Sequence, residues 1–282
     1  MDIRLHENGW TVIVDNFDMK EITQQQVNTL TRYLLTNEVV VVKNQKFTPT
    51  DEIRICEMFG TLDDWTETPF KRNFLLDYGA EEKKIMRVTG ELDEHGQPGL
   101  FGHVSELEWH CNHASDPNRK QLVWLWAEKG TKGSRTSWLN NILTWNAMPK
   151  EQQDELRKIK LNLGDTEQFT NVLWEEGASP PDTKFYRPNL VHTNQLGVTG
   201  LFFSWRQIHF IEDMSKPDGR KFIDNLQQQV EREEFMYHHD WEDGDLVLSE
   251  QYLSIHKRWE FEHMDRRVLH RITMGIDRTD IV

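Results

Sequence analysis

The sequence has few cysteines, little positive charge and no long hydrophobic run. Two of its 282 residues are cysteines, Cys56 and Cys111, and they lie far apart. This spacing fits neither a disulfide framework nor a zinc-finger pattern, and it is typical of a reducing compartment. No apolar stretch approaches membrane-spanning length, and the first ten residues contain no signal-peptide core. We therefore predict a soluble cytoplasmic protein without a membrane partner.

The balance of charge is strongly acidic. The chain has 33 Lys and Arg residues against 47 Asp and Glu residues, a formal net charge of −14. A nucleic-acid-binding protein normally presents a basic face to the phosphate backbone, so we do not expect a nucleic-acid partner. A small anionic substrate stays compatible with this charge, because a local arginine pocket can lie inside an acidic protein. The general effect of the charge is solubility.

The chain shows no repeat and no linker rich in Pro, Gly or Ser, so we predict one domain over residues 1–282. Helical patterns come early, and short strands dominate later with helical interruptions. This order predicts a mainly β fold with α decoration, a sandwich or barrel rather than alternating βαβ units. The polar, Gly-punctuated segment 63–108 is expected to form an active-site lid and loops. Segment 140–190 is expected to be a helical and loop insertion.

Three short motifs carry the candidate functional residues. They are Trp109-His110-Cys111-Asn112-His113, Asp243-Gly244-Asp245-Leu246-Val247-Leu248 with the later His256, and Arg266-Arg267-Val268-Leu269-His270-Arg271. Non-haem iron oxygenases need two imidazoles and a carboxylate on one face. Alternate residues of a strand point the same way, so His110 and residue 112 are expected to reach one metal, with His256 arriving from a neighbouring strand. By the same alternation, His113 is expected to face away.

In their order and spacing, these motifs resemble the taurine dioxygenase-like (TauD/TfdA) family of Fe(II)- and 2-oxoglutarate-dependent oxygenases. That family has a WHxD segment with two iron ligands, a distal histidine, and an arginine eleven residues later within an R-x-x-x-R pair. Here His256 and Arg267 keep that interval (267 − 256 = 11), and Arg271 completes the pair. The resemblance covers nearly the whole chain, from segment 39–60 to the last strand. It implies a double-stranded β-helix (jelly-roll, cupin-like) core.

The resemblance also implies the cofactors, which are Fe(II), 2-oxoglutarate and O₂. The implied reaction oxidises an aliphatic C–H of a small substrate with release of succinate and CO₂. His110, Asn112 and His256 occupy the catalytic metal-ligand positions. Arg267 would hold the distal carboxylate of 2-oxoglutarate with help from Thr136, because an arginine fork matches a carboxylate and stays charged when buried.

The substrate positions are implied in the same way. Arg271 matches the position that contacts an anionic substrate group, and Trp205 lies where the family places substrate-facing residues. Glu106 could receive a cationic group, which together with Arg271 would suit a charged or zwitterionic substrate. The sequence leaves a homo-oligomer open.

Residue 112 departs from the family pattern, which has a carboxylate there. An amide oxygen is neutral and a poorer ligand for a hard dication. Three interpretations stay open: Asn112 ligates weakly through its oxygen, it leaves the position to water or chloride, or the chain is an engineered or naturally disabled variant. Halogenating relatives carry the smaller Ala or Gly here. The alternatives to an active oxygenase are therefore an impaired or halogenase-like relative, and a non-catalytic cupin-like protein that binds a small molecule.

Overall fold

The computed structural model describes residues 1–64, 84–92, 96, 98–99, 101–164 and 186–276. The strands are β1 Asp2–Leu5, β2 Val12–Asp15, β3 Val39–Val42, β4 Met86–Thr89, β5 Leu107–His110, β6 Leu122–Lys129, β7 Arg135–Asn140, β8 Leu161–Leu163, β9 Val191–Thr193, β10 Thr199–Leu201, β11 Ile208–Ile211, β12 Met236–Asp240, β13 Leu246–Glu250, β14 Ser254–Arg258 and β15 Val268–Met274. The α-helices are α1 Gln24–Asn37, α2 Pro49–Phe59, α3 Asn141–Asn146, α4 Lys150–Leu156 and α5 Lys216–Val230.

Two large sheets form the centre of the fold. The first has seven strands in the order β1-β2-β3-β13-β6-β15-β4, and the second has four in the order β12-β7-β14-β5. Neighbouring strands in both sheets are antiparallel apart from the parallel pair β2–β3. Side chains of both sheets share one apolar cluster, which includes Val41 of β3 and Trp138 of β7, so the sheets pack face to face.

Alternation along the strands assigns each side chain to one face of the large sheet. In β3, Val39 and Val41 pack between the sheets, while Val40 and Val42 pack on the outer face. All four are buried, as expected of a β-branched strand covered on both faces. The outer cluster also contains buried side chains of α1 and α2, so these two helices cover the outer face.

Local capping explains where these two helices begin. Thr23 precedes α1 and exchanges hydrogen bonds with Gln26, and Thr48 precedes α2 and does the same with Asp51. Each pair is a capping box, which satisfies backbone N–H groups that the first turn leaves open. Pro49 at the first position of α2 has no N–H that the helix would miss.

The prediction of a mainly β fold with α decoration and a double-stranded β-helix core is confirmed. The structure adds β4 inside segment 63–108, where the sequence analysis expected loops. It also adds β12, in which a buried position is occupied by the polar residue His239, so the sequence does not show the alternation of apolar residues typical of a strand. Residues 65–83, 93–95, 97 and 100 of the predicted lid, and 165–185 of the predicted insertion, lie outside the described residues. Within the described ranges, no helix has the length and apolar character needed to cross a membrane.

Candidate active site

Two histidines meet where β5 pairs with β14. His110 lies directly opposite His256 in this pairing, and the two ring centroids are 4.3 Å apart. Burial, with Arg271 nearby, lowers the pKa of His110 to about 4, and burial also lowers the pKa of His256 well below its usual value. Both imidazoles are therefore neutral at neutral pH, which is the state that can donate a lone pair to a metal.

The tautomer of His110 follows from its backbone partner. His110 Nδ1 lies 2.6 Å from the carbonyl oxygen of Glu108. Because a carbonyl can only accept, Nδ1 carries the proton and Nε2 carries the lone pair. A hydrogen bond of this kind holds the ring of a metal-binding histidine in one orientation.

The strand geometry expected for residues 110–112 is not observed, because β5 ends at His110. Asn112 lies in the turn that follows, and its backbone N–H donates to Gln251 Oε1 at 3.2 Å. The turn still brings the Asn112 side chain to the cavity that both histidines line. His113 has a φ of 54° in this turn and is not among the described residues lining the cavity.

The side chain of Asn112 is engaged by an arginine. Its Oδ1 accepts a hydrogen bond from Arg271 Nη1 at 2.9 Å, and both residues are buried. Its amide nitrogen is buried and has no hydrogen-bond partner among the residues that the structure describes. Within the described ranges, no cluster of three His, Cys, Asp or Glu side chains able to hold a metal ion occurs. The two histidines are thus not joined by a carboxylate or thiolate of the described chain.

The cavity at the two histidines is small and positively charged. It has a volume of about 50 Å³ and is lined by Val88, Phe101, Leu107, His110, Asn112, Leu125, Thr136, His256, Arg258, Arg267, Leu269 and Arg271. Three of these side chains are arginines, and none of the described lining residues is acidic. A buried cluster of cations without a carboxylate is a site that favours anions.

Arg267 is the most deeply buried of the three arginines, with 1% of its surface exposed. Its Nε donates to Ser134 Oγ at 3.2 Å, and its Nη1 lies 3.9 Å from Met264 Sδ. Burial lowers the pKa of Arg267 to about 9, so the guanidinium still carries its charge at neutral pH. Thr136 lines the same cavity, and its Oγ1 accepts a hydrogen bond from Trp241 Nε1 at 2.9 Å. The hydroxyl hydrogen of Thr136 can therefore be donated to a ligand.

Arg258 is a cavity residue that the sequence analysis missed. It lies two positions after His256 on β14, so strand alternation places both on one side, and this spacing could have identified it. Its guanidinium donates to the backbone carbonyls of Phe101, His103 and Ser105. Arg258 thereby fixes the segment that leads into β5.

Two predicted substrate residues lie elsewhere. Trp205 is buried in the core outside the four-stranded sheet, where it packs against Trp109 and Phe203 with ring centroids 6.2 and 5.4 Å away. Glu106 forms an ion pair with Lys257 at 2.8 Å, and this hydrogen bond lowers the pKa of Glu106. Neither residue is among the described residues lining the cavity.

Comparisons with known proteins identify the family of this chain. Residues 5–273 match the model of the family described as "Taurine catabolism dioxygenase TauD, TfdA family". The chain is 23% identical over 263 residues to pentalenolactone F synthase of Streptomyces arenae, covering 80% of this chain and 88% of that protein. It is 23% identical over 273 residues to the alpha-ketoglutarate-dependent 2,4-dichlorophenoxyacetate dioxygenase of Cupriavidus pinatubonensis (strain JMP 134 / LMG 1197), covering 92% of each chain.

A solved structure shows the same fold. The crystal structure of AAD-2 in complex with Mn(II) and N-oxalylglycine superposes with a TM-score of 0.79 at 17% sequence identity. The superposition covers 98% of this chain and 99% of that one. At this low identity the likeness establishes the architecture, while the chemistry has to be argued from the cavity itself.

Proposed function

The chain belongs to the TauD/TfdA dioxygenase family, and from this premise we propose that it is an Fe(II)- and 2-oxoglutarate-dependent oxygenase of a small anionic substrate. The observation that carries the proposal is Arg267, a buried cation whose hydrogen-bond partners, Ser134 and Met264, are both uncharged. A buried charge without a counter-ion is strongly unfavourable, so this position calls for an anionic ligand. The distal carboxylate of 2-oxoglutarate is the ligand we assign to it, with Thr136 as a second donor.

The two histidines are suitable ligands for the proposed metal, but Asn112 does not supply the carboxylate that normally completes the ligand set. Fe(II) of this enzyme class is held by two imidazoles and one carboxylate. His110 and His256 are neutral and adjacent, which supports them as ligands. The Asn112 oxygen already accepts from Arg271. We therefore propose a metal held by two histidines, without a carboxylate from position 112.

The protein residues position the ligands and exclude water. When bound, Fe(II) and 2-oxoglutarate would supply the oxidising chemistry that uses O₂. Leu107, Leu125 and Leu269 form an apolar wall beside the two histidines, which keeps bulk water from the reacting groups. Arg267, which lines the same cavity, would orient the cosubstrate through its distal carboxylate.

The substrate is proposed to carry a carboxylate or a comparable anionic group. Arg258 donates to three backbone carbonyls, so Arg271 is the cavity arginine assigned to the substrate. The Cupriavidus relative is named for 2,4-dichlorophenoxyacetate, which is a carboxylate, and this supports the assignment. The zwitterionic alternative depended on Glu106, whose carboxylate pairs with Lys257. A cationic substrate group therefore stays a prediction, as does the substrate role of Trp205.

The remaining assignments are also part of the proposal. We propose a single domain over residues 1–282, a lid within 63–108, and a small-molecule substrate with no nucleic-acid or membrane partner. The cytoplasmic location, the insertion at 140–190 and a homo-oligomer stay predictions.

An anaerobic titration tests the proposed function. Addition of Fe(II) and 2-oxoglutarate to the protein without O₂ is expected to produce the weak visible charge-transfer band of a chelated complex. Admission of O₂ with a panel of small carboxylates is then expected to release succinate. The proposal is wrong if no band forms and calorimetry detects no 2-oxoglutarate binding at millimolar concentration.

A second candidate function is a non-catalytic protein that binds a small molecule. The observation that favours it is the engagement of the Asn112 oxygen by Arg271. Formation of the charge-transfer band without any succinate, in the presence of every carboxylate of the panel, would favour this candidate over an oxygenase.

A further inference from the structure

We infer that Arg271 is a positioning residue that holds the only side-chain oxygen of Asn112 away from the metal, and so weakens divalent-cation binding at this site. The inference rests on the proposed metal site at His110 and His256. It deepens that proposal by assigning Asn112 the role of a hydrogen-bond donor rather than of a ligand.

Both ends of the hydrogen bond between Arg271 and Asn112 are held in place. Arg271 lies within β15, opposite Leu125 of β6 on one side and Met86 of β4 on the other. The backbone N–H of Asn112 is fixed by Gln251 at 3.2 Å. Since neither backbone can shift easily, the bond of 2.9 Å between Arg271 Nη1 and Asn112 Oδ1 is a built feature of the site.

The hydrogen bond from Arg271 affects an amide and a carboxylate at position 112 differently, because the two groups have different numbers of oxygens. A carboxylate has two oxygens, so one could accept from Arg271 while the other ligates a metal. An amide has one oxygen, and Arg271 Nη1 already donates to it. The second lone pair of this oxygen lies beside the cationic guanidinium, which repels a dication, and the NH₂ group of Asn112 donates hydrogen bonds and has no lone pair for a metal.

The amide nitrogen supports the same conclusion independently. Asn112 Nδ2 is buried and has no hydrogen-bond partner in the described part of the chain, whereas most buried polar groups of folded proteins have one. A donor left without an acceptor beside two histidines is suited to an oxygen or anion bound between them. We therefore assign to Asn112 a hydrogen bond to a water molecule or a small anion. This molecule would occupy the ligand position that the family carboxylate would otherwise fill.

A double-mutant cycle with Mn(II) alone tests the inference. Mn(II) binding is followed by loss of the electron paramagnetic resonance signal of the free ion, in the native protein, Arg271→Met, Asn112→Ala and the double variant. Arg271→Met frees the Asn112 oxygen and is expected to tighten Mn(II) binding on the order of tenfold, within the range by which outer-shell partners change metal affinity. Most of this gain is expected to disappear in the double variant.

The cycle separates release of Asn112 from simple charge repulsion. If removal of Arg271 tightens Mn(II) binding equally with Asn or Ala at position 112, the effect is charge repulsion through space and the inference is wrong. The inference is also wrong if Arg271→Met does not tighten binding at all. Circular dichroism of each variant verifies that the fold is retained.

A single variant gives a second measurement that does not require a change at Arg271. If the Asn112 oxygen is not a ligand in the native protein, Asn112→Ala should change the Mn(II) dissociation constant by less than about threefold. A larger loss would mean that the Asn112 oxygen contributes to metal binding as a ligand, and it would overturn the inference. The proposed function is judged separately, by the charge-transfer band and succinate release of the native protein.

Discussion

The two faces of β15 contain buried cations in opposite situations. On the inner face, Arg271 lines a cavity without a described acidic residue. On the outer face, His270 is bonded to two carboxylates: its Nδ1 lies 2.6 Å from Glu52 Oε1, and its Nε2 lies 3.2 Å from Glu128 Oε2. The two residues are neighbours in the chain, and strand alternation separates them into two different environments.

The comparison distinguishes the charge of His270, which stabilises the fold, from the charge of the cavity arginines, which is available to ligands. Burial by itself lowers the pKa of His270, but the hydrogen bonds to Glu128 and Glu52 outweigh it and raise the pKa to about 9. The outer site therefore supplies its own counter-ions and holds α2 against the sheet. None of the described residues that line the inner cavity is acidic, which indicates that bound ligands supply negative charge there.

The largest expected effect is a loss of folding stability when a counter-ion of His270 is removed from the outer face of β15. Glu52→Ala leaves His270 without one carboxylate and Trp124 Nε1 without its acceptor at 2.9 Å. Breaking a buried pair in this way costs about 3–5 kcal/mol. Urea denaturation is expected to show this loss in the free energy of unfolding, while the Mn(II) dissociation constant of the folded protein stays unchanged.

A matched control lies on the same helix. Glu57 forms an exposed ion pair with Lys84 at 2.8 Å, so Glu57→Ala is expected to cost only about 0–1 kcal/mol. Equal losses for the two variants would mean that the outer charge cluster contributes no more than a surface pair.

The next largest expected effect is a loss of 2-oxoglutarate affinity when a cation is removed from the inner cavity. Arg267→Leu removes the proposed partner of the 2-oxoglutarate carboxylate and should weaken its binding by about 2–5 kcal/mol. Calorimetry with Mn(II) and 2-oxoglutarate measures this loss. Because Arg267 has no counter-ion within the described chain, the free energy of unfolding should fall much less than in Glu52→Ala.

Arg266→Leu is the control for this variant, since the side chain of the adjacent Arg266 is 73% exposed. Its 2-oxoglutarate dissociation constant should equal that of the native protein. An unchanged constant in Arg267→Leu as well would place the cosubstrate carboxylate at another residue.

The pH dependence of stability distinguishes the two faces without removing a carboxylate. His270 has a folded-state pKa of about 9 against an ordinary value of 6.5. Its stabilising contribution is therefore complete below pH 6.5, falls by about 1.4 kcal/mol per pH unit above it, and is lost once the pH passes 9. Unfolding measurements across this window should show a steeper decline for the native protein than for His270→Gln. Parallel curves for the two proteins would show that His270 is not charged in the fold.

The smallest expected effect is a gain in Mn(II) affinity when a carboxylate is introduced on the inner face, where the outer face already has two. Asn112→Asp places a carboxylate beside Arg271 and leaves its second oxygen available to a metal. Mn(II) should bind on the order of ten times more tightly, because a full negative charge replaces a neutral amide near the dication. Succinate release in the presence of O₂ should rise as well.

Asn118→Asp makes the same chemical change at an exposed position of the same loop, and its Mn(II) affinity should stay at the native value. Tighter Mn(II) binding by the native protein than by Asn112→Asp would contradict the inference and would point to a specialised role for the amide.

Much of the architecture could be predicted from local signals. Local residues predict a helix over Thr50 to Phe59 with Thr48 or Thr50 as its N-cap, and the structure uses Thr48 and begins α2 at Pro49. The four valines of β3 indicate a strand buried on both faces, as observed. The strand β4 was missed because its sequence is short and contains a partly exposed arginine, Arg87, within a polar segment. Its place depends on pairing with β15, which no local pattern reveals.

The sequence alone determined which residue types are available at the site. The interval between His256 and Arg267, and the replacement of the family carboxylate by Asn112, are properties of the chain itself. They were enough to identify the family and to single out the departure from it.

Only the tertiary structure decided how those residues are paired. The bond between Arg271 and Asn112 joins positions 159 apart in sequence, and the bond between His270 and Glu52 joins positions 218 apart. Such contacts depend on strand register and on which face of β15 meets α2 or the cavity. A one-residue shift in register would exchange the two faces, so the environment of each buried charge follows from packing rather than from local sequence.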